Sequence, residues 1–599
     1  MKQRLNIRLA MLAGLLLPTV LPTVQAAAMQ IMKEQLADKQ AAQQILPDDP
    51  KLQGKELWLF GGGEPLCSSV EPHLCVPARR QAAEAYFASR EAFREKEFVF
   101  SNAQLATLPG WPGSKERQQQ VVQWLQANMA RFAGKPLKEQ DWLTALAPLA
   151  LSDDEQNLLD DLFELRLTRQ DGRTAMMQLS FRDTEPYVQQ MFRAFLQSAS
   201  DRAKARGEPV ARPKLLLITA SSNDPFQWVD YYLQLFTAAG ADAGWLPLEP
   251  ALAQGGDCSD LNERRFIYNG QYNRSQRYPE LAAYQQRLCA EPAAMLAAVQ
   301  QADAIFINGG DQTLTMHSLQ RPDGSFTALA QLLLKQVAAG IPLAGSSAGT
   351  AVQSGRPDTA IPMISGGRSS VALQLPALAD SPNSPLCALH QRCSSQAVEG
   401  QLTYKADGGL QTFSLGVTDT HFRQRNREGR LLRLLLDTGT AYGVGVDEGA
   451  VLRVNFAPEQ PNSQQPEQAP GQPKTAGNGG AAVAGLTARL QVLGVGGAWV
   501  LDASKAQRQS LADKNDWRAS GLQISRILAG DVLHFRQGQW QGLLGCEARP
   551  TDSRLIDQAA YQALPGLVWH SPSLQHAACQ RSDGQWHYIN LPMQAEVKL

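Results

Sequence analysis

The chain of 599 residues carries 56 basic and 57 acidic side chains, and 44% of its residues are hydrophobic. That length can bury a large core and allows roughly two to four domains. Nearly cancelled charge, with Lys and Arg scattered and no basic run interleaved with aromatics, argues against nucleic acid as a partner.

The first 28 residues read as a secretory signal peptide. Lys2, Arg4 and Arg8 precede the apolar run Leu9 to Leu21, and Val24-Gln25-Ala26 supplies a small-x-small cleavage pattern. The run contains Pro18 and Pro22 and is short for a membrane span, so no membrane anchor is expected. With cleavage near Ala26 to Ala28, the mature protein is expected to be periplasmic or secreted. Eight cysteines follow, an even number suited to an oxidising compartment. They fall as sequence-near couples, which predicts the disulfides Cys67–Cys75, Cys258–Cys289, Cys387–Cys393 and Cys546–Cys579. Sequence alone permits about 105 pairings. None has C-x-x-C spacing, which speaks against a zinc or redox motif.

Glu56 to Phe60 reads as a buried strand running into Gly61-Gly62-Gly63-Glu64. A strand followed by glycines suggests the carboxyl edge of a parallel sheet, where α/β proteins place ligands. Residues 80–208 read as helical. Val122, Leu125, Met129 and Phe132 repeat at helical spacing, and Ser152 to Glu155 forms a capping box ahead of Leu158, Leu162 and Leu165. Tyr187, Met191 and Phe195 make a further stripe. Helix packing accounts for all of these.

The α/β pattern then resumes. Lys214 to Thr219 and Ala302 to Ile307 read as buried strands, the latter running into Asn308-Gly309-Gly310-Asp311-Gln312. Helices are expected over Phe226 to Ala238, ended by Gly240, and over Thr327 to Ala339, ended by Gly340. Strands alternating with helices imply a parallel sheet covered on both faces. Leu415 to His421 and Ala441 to Val446 read as further strands. Residues 458–485 are rich in Pro, Gln, Gly and Ala and read as a linker. Strand character returns over Leu490 to Leu501, and the last 80 or so residues read as a small irregular cap.

The stretch Ile341 to Thr350 carries the chemistry. An apolar run ends in Gly345-Ser346-Ser347-Ala348-Gly349, the G-x-S-x-G layout of a nucleophile elbow. A serine at the tip of a strained turn needs small neighbours, and the helix after it offers N–H groups to a developing oxyanion. The string alone is common, and a glycine-rich turn without chemistry fits it equally well. A serine nucleophile also needs a base, an orienting acid and oxyanion donors. His421, at the end of a core strand, is the candidate base, although a strand end can hold a purely structural histidine. Glu448, ending another strand, and Asp419, two residues before His421 on the same face, are rival acids. Gly310 and Ala348 are the candidate oxyanion donors. Arg423, Arg425 and Arg427 read either as a solvated face or as clamps for substrate carboxylates.

Taken together, these motifs resemble the serine peptidases that include cyanophycinase and aspartyl dipeptidase (peptidase E). Phe60 to Glu64 looks like the first-strand glycine motif of that family, and Asn308-Gly309-Gly310-Asp311-Gln312 is similar to its G-G-[DN]-Q. Gly345 to Gly349 matches the S-A-G elbow. Asp419-Thr420-His421-Phe422 with Arg425 and Arg427 looks like D-Q-H-F-x-x-R-x-R, and Gly445 to Glu448 resembles G-I-D-E. The resemblance covers residues 55–65 and about 212–502. It implies a three-layer α/β/α sandwich on a mostly parallel sheet, flavodoxin-like and similar to class I glutaminases. It also implies Ser347 as nucleophile, His421 as base and Glu448, rather than Asp419, as orienting acid. Gln312, Arg425 and Arg427 would bind substrate, and Asp419 is a candidate for a substrate guanidinium. The implied substrate is cyanophycin, a poly-aspartate with arginines on its β-carboxyls, released as β-Asp-Arg. Thr420 departs from the family's Gln, which opens two alternatives: a peptidase on other Asp-containing peptides, or an inactive binding protein. An α/β-hydrolase esterase fits less well, because its acid precedes its histidine.

The expected divisions are a signal peptide at 1–28, a leader with the first core strand at 29–79 and a helical insertion at 80–208. A catalytic core at 209–455 follows, then a low-complexity loop at 456–485, the last core strands at 486–505 and the cap at 506–599. No metal or organic cofactor is implied, and the resemblance allows a homodimer.

Overall fold

The computed structural model describes residues 54–598 apart from 109, 133–134, 209, 322, 358, 380–396, 458–484, 512–515 and 554–565. The expected signal peptide and the Cys387–Cys393 couple fall outside the described residues, as does nearly all of the low-complexity stretch. The other three cysteine couples are disulfides with the expected partners. Among the described residues no helix is long and apolar enough to cross a membrane.

Among the described residues two nine-stranded sheets dominate. The strands that matter here are β1 (Glu56–Phe60), β2 (Lys214–Ile218), β3 (Asp242–Leu246), β4 (Ala304–Ile307), β5 (Leu343–Ser346), β6 (Val417–Thr420), β7 (Tyr442–Val446) and β8 (Ala450–Phe456). They continue as β9 (Thr487–Gly494), β10 (Ala498–Asp502), β11 (Trp517–Ile527), β12 (Val532–Arg536), β13 (Gln539–Leu543) and β14 (Trp586–Val597). The first sheet runs β13-β12-β9-β8-β1-β5-β4-β2-β3. Only its five strands β1, β5, β4, β2 and β3 pair in parallel; β1 turns antiparallel at β8, and the pairing stays so to β13. The sheet is therefore mixed, and the mostly parallel sheet expected from the resemblance is confined to this five-strand part.

Alternate residues of the parallel strands enter two different cores. Leu57, Leu59, Leu216, Ile218, Ile305 and Ile307 belong to one. Trp58, Phe60, Leu215, Leu217 and Phe306 belong to the other. Both faces are dry, which is why these strands read as unbroken apolar runs rather than alternating ones. The helices Pro186–Ala205 and Val229–Ala239 supply Met191, Phe195, Leu235 and Phe236 to the second core. The first core draws on the helix Ala328–Ala338, through Leu333 and Val337, and on the second sheet, through Val444, Val446 and Trp499.

In the second sheet β6 pairs in parallel with β7, which continues antiparallel through β10 and β11 to β14. The chain crosses between sheets at Asp447 to Gly449 and again at Val495 to Gly497, because β7 and β10 lie in one sheet while β8 and β9 lie in the other. The C-terminal region is not the irregular cap expected; β11 and β14 are long strands of the second sheet, and β12 and β13 extend the first. Register shifts between Ala519 and Leu522 and between Ile524 and Arg526 break the period-two pattern, so sequence periodicity could not show them.

One buried ion cluster ties the first strand to its neighbours. Glu56 accepts from Arg453 Nε at 2.8 Å, Arg202 Nε at 2.9 Å, Ser198 Oγ at 2.6 Å and Trp58 Nε1 at 2.9 Å. Burial works to raise the Glu56 pKa, but Arg453 and Arg202 outweigh it and hold the carboxyl below its ordinary value of 4.5. The stabilisation is therefore complete above that value and is lost as pH falls through the lowered one. Glu56→Ala leaves two buried guanidinium groups without their carboxylate and should cost about 3–5 kcal/mol, read as a lowered urea midpoint at pH 7.

Candidate active site

Parallel pairing sends the carboxyl ends of β1, β5, β4 and β2 to one edge of the first sheet, so the segments after Phe60, Ser346, Ile307 and Ile218 gather there. Ser347 sits immediately after β5, at φ 51° and ψ −111°, ahead of the short helix Ala348–Ala351. For a non-glycine residue this backbone is strained, by roughly 1–3 kcal/mol. Close packing enforces it. A Cβ on Gly345 would run into the Gly349 carbonyl, and a Cβ on Gly349 into the Ile307 carbonyl. The glycines of the elbow are required by backbone contact rather than by their own dihedrals.

His421 follows β6, also with positive φ (46°), and its N–H donates to the Gly61 carbonyl at 2.8 Å. Its Nε2 lies 2.8 Å from Ser347 Oγ, and its Nδ1 lies 2.6 Å from Glu448 Oε1. Glu448 stands in the crossover from β7 to β8, where its own N–H donates to Gln424 Oε1. The structure thus brings Ser347, His421 and Glu448 into one hydrogen-bonded line. Burial is the main influence on His421 and lowers its pKa below 6.5; the Glu448 hydrogen bond opposes this, and Arg425 and Arg427 reinforce it. A neutral imidazole beside Ser347 Oγ is the form that can accept its proton.

The glycine loop after β1 closes over this line. A Cβ on Gly62 (φ 89°) would stand 2.5 Å from His421 Nε2, and one on Gly63 (φ 63°) would stand 2.8 Å from Glu448 Cδ. Glu64 fastens the loop, accepting from Gly62 N–H at 3.1 Å and from Ser346 Oγ at 2.9 Å. Sequence reasoning placed these residues at the sheet edge but assigned Glu64 no part in the site. Its position directly after three glycines was the available signal.

A cavity of about 280 Å³ opens on Ser347. Gly310, Gln312 and Ala348 border it, as do Thr420, Arg425 and Arg427. Gly310 has φ 139°, and a Cβ there would strike the Ser221 carbonyl, so the loop after β4 must pass close against the loop after β2. Gln312 Nε2 is engaged by the carbonyls of Ile364 and Ser365, at 2.7 and 3.1 Å. Arg425 is exposed at the cavity, while burial lowers the Arg427 pKa to about 10.

Asp419 is not brought to the cavity. It is buried, at 1% exposure, where Arg430 donates to both of its oxygens (2.8 and 2.5 Å) and Arg427 to one (3.2 Å). Neither the orienting-acid role nor the guanidinium-binding role considered for it fits that position. Burial pushes its pKa up, yet the two arginines prevail and hold it low. Arg430, which sequence reasoning did not single out, borders the cavity and also donates to the Gly367 carbonyl at 2.8 Å.

Residues 285–375 match the model of Peptidase family S51. That span carries Gly310, Gln312, Ser347 and Ala348 and ends before His421 and Glu448. The match supports a peptidase. A crystal structure of a peptidase from an acI-B1 Actinobacterium is similar at 14% identity, over 60% of this chain and 92% of its own, with a TM-score of 0.28.

Two outcomes follow from the geometry. A fluorophosphonate should label the protein at Ser347, fail on Ser347→Ala, and react about 10⁴-fold more slowly with Glu448→Gln. The rate should stay level below pH 6.5 and fall only as His421 protonates at its lowered pKa. Arg425→Ala removes one of the charges lowering that value, so the acid limb should move to higher pH.

Proposed function

We propose that this protein is a serine-type peptidase cleaving aspartyl peptide or isopeptide bonds, secreted, with cyanophycin as its substrate. The observation that carries the reading is His421, within hydrogen-bonding distance of Ser347 Oγ on one side and Glu448 on the other. In the proposed reaction Ser347 Oγ attacks the scissile carbonyl while His421 Nε2 takes its proton. Glu448 steadies the imidazolium, and N–H groups of Gly310 and Ala348 receive the oxyanion. His421 then protonates the leaving amine, and water activated by the same imidazole hydrolyses the acyl-enzyme. Arg425 and Arg427 give the cavity a positive rim suited to the free carboxylates of an aspartate polymer. An insoluble polymer cannot enter a cell, so the secretion expected from the signal-peptide pattern at 1–28 agrees with this substrate.

Thr420 at the cavity and the internal engagement of Asp419 favour a second reading, in which the same triad cleaves other Asp-containing peptides. Cyanophycin granules separate the two. The mature protein should clear them and release β-Asp-Arg, Ser347→Ala should not, and Arg427→Ala should lower kcat/KM by roughly 10–100-fold. Granules left intact by a protein that still reacts with fluorophosphonate would discard cyanophycin and keep the peptidase.

A further inference from the structure

A second cavity, of about 250 Å³, lies between the helices of residues 80–208 and the sheet edge that carries Ser347. One wall is the helix Asp153–Phe163. Its apolar stripe, Leu158, Leu159 and Leu162, is buried in the helices' own core, and its other side presents Asp154, Asn157, Asp160 and Asp161 to the cavity. Across from it stands Asp224, in the loop after β2. That loop is clamped to the one after β4 by Ser221 N–H on Asn308 Oδ1 (3.2 Å) and Asn308 Nδ2 on Ser222 Oγ (2.6 Å). Two strand spacings separate β2 from β5, on the order of 10 Å.

Among the described residues lining the cavity, the carboxylates Asp160, Asp161 and Asp224 face the cations Lys96 and Arg274. Arg274 is shared among Asp161, Asp224 and, outside the lining, Glu164. Among the described residues the donors to Asp160 are neutral, Trp142 Nε1 at 2.6 Å and Gln156 Nε2 at 2.5 Å, both on Oδ1. Burial raises the pKa of Asp160, and it lifts Asp161 to about 7 despite Arg274. An independent sign is Gln271, which borders the cavity at 5% exposure with neither Oε1 nor Nε2 hydrogen-bonded. A buried amide without partners is costly unless something supplies them.

Among the described residues, no three carboxylates of this cavity converge closely enough to share a metal ion. Among the described residues, the only three His, Cys, Asp or Glu side chains whose ligand atoms lie within 4.8 Å of one another are Cys546, Cys579 and His587, and those two cysteines are joined in a disulfide. Spread carboxylates with an amide oxygen suit instead a cation carrying several N–H donors on one group.

We propose that this cavity binds a guanidinium or primary ammonium group, as the subsite for a cationic side chain of the substrate away from the scissile bond. Asp160 and Gln271 are its principal acceptors. The link to substrate rests on the peptidase reading above; binding to the cavity does not. It also supplies the counter-charge for such a side chain that Asp419, engaged by Arg427 and Arg430, does not.

The test is calorimetric titration of the full mature protein with ethylguanidinium and with ethylammonium, neither of which can be cleaved. At least one should bind at a single site with Kd on the order of 1 mM. Asp160→Asn, which keeps an oxygen for Trp142 and Gln156, should weaken binding at least tenfold, as should Gln271→Leu; Ser347→Ala should leave it unchanged. Asn157→Leu, at an exposed position on the same wall, serves as a further variant should either of those fail to fold, and it should also weaken binding. No saturable binding of either cation, binding indifferent to all three substitutions, or a preference for Ca²⁺ would overturn the proposal. Cation binding with an unreactive Ser347 would remove the peptidase reading and leave the cavity; a reactive Ser347 with no cation binding would do the reverse.

Discussion

Backbone packed on backbone at the end of β5 is the constraint on which the site depends. Gly345 lies against the Gly349 carbonyl, Gly349 against the Ile307 carbonyl, and the Ser347 N–H reaches the Phe60 carbonyl at 3.2 Å. Three strands, β4, β5 and β1, thus fix the serine in a backbone conformation that a free loop would abandon. Because those strands are buried on both faces, two hydrophobic cores back the hydrogen bonds that hold the strain at Ser347.

The same edge organises the electrostatics. His421 and Glu448 come from the other sheet, and they meet Ser347 because the chain changes sheets at Asp447 to Gly449, between β7 and β8. Asp447 anchors that crossover, accepting from the N–H groups of Arg423 (3.1 Å) and Gly497 (3.3 Å) and from Trp499 Nε1. Burial, only partly offset by Arg526, raises its pKa. Asp419 performs the complementary task for the cations. By taking Arg430 and part of Arg427 in the interior, it holds two guanidinium groups beside the cavity that would otherwise repel each other.

Legibility varied with how local the determining interaction is. The strands 56–60 and 304–307, the capping box at Ser152 and the glycines ending the helices at Gly240 and Gly340 were all readable, because apolar runs, caps and left-handed turns are written within a few residues. The C-terminal strands were not, since their bulges shift the register and Pro592, a residue that argues against a strand, sits inside β14. Glu64 and Arg430 escaped for another reason. Ser346 and Gly367, which they hold, lie far away along the chain, so the glycines before Glu64 could mark its position but not the partner it fastens.

By itself the sequence determined which residues can do chemistry and on which segments they stand: a serine between glycines after one buried strand, a histidine and a glutamate after two others. Residue types alone left Asp419 and Glu448 level as partners of that histidine, and it was the resemblance that favoured Glu448. Only the tertiary structure decided where each goes, seating Glu448 2.6 Å from His421 and turning Asp419 inward to Arg430. It alone set the acidic face of the helix Asp153–Phe163 opposite Asp224. The physical reason is common to both. A side chain's own segment fixes its direction, but its partner is fixed by the spacing of strands and helices that meet only after the two cores have closed.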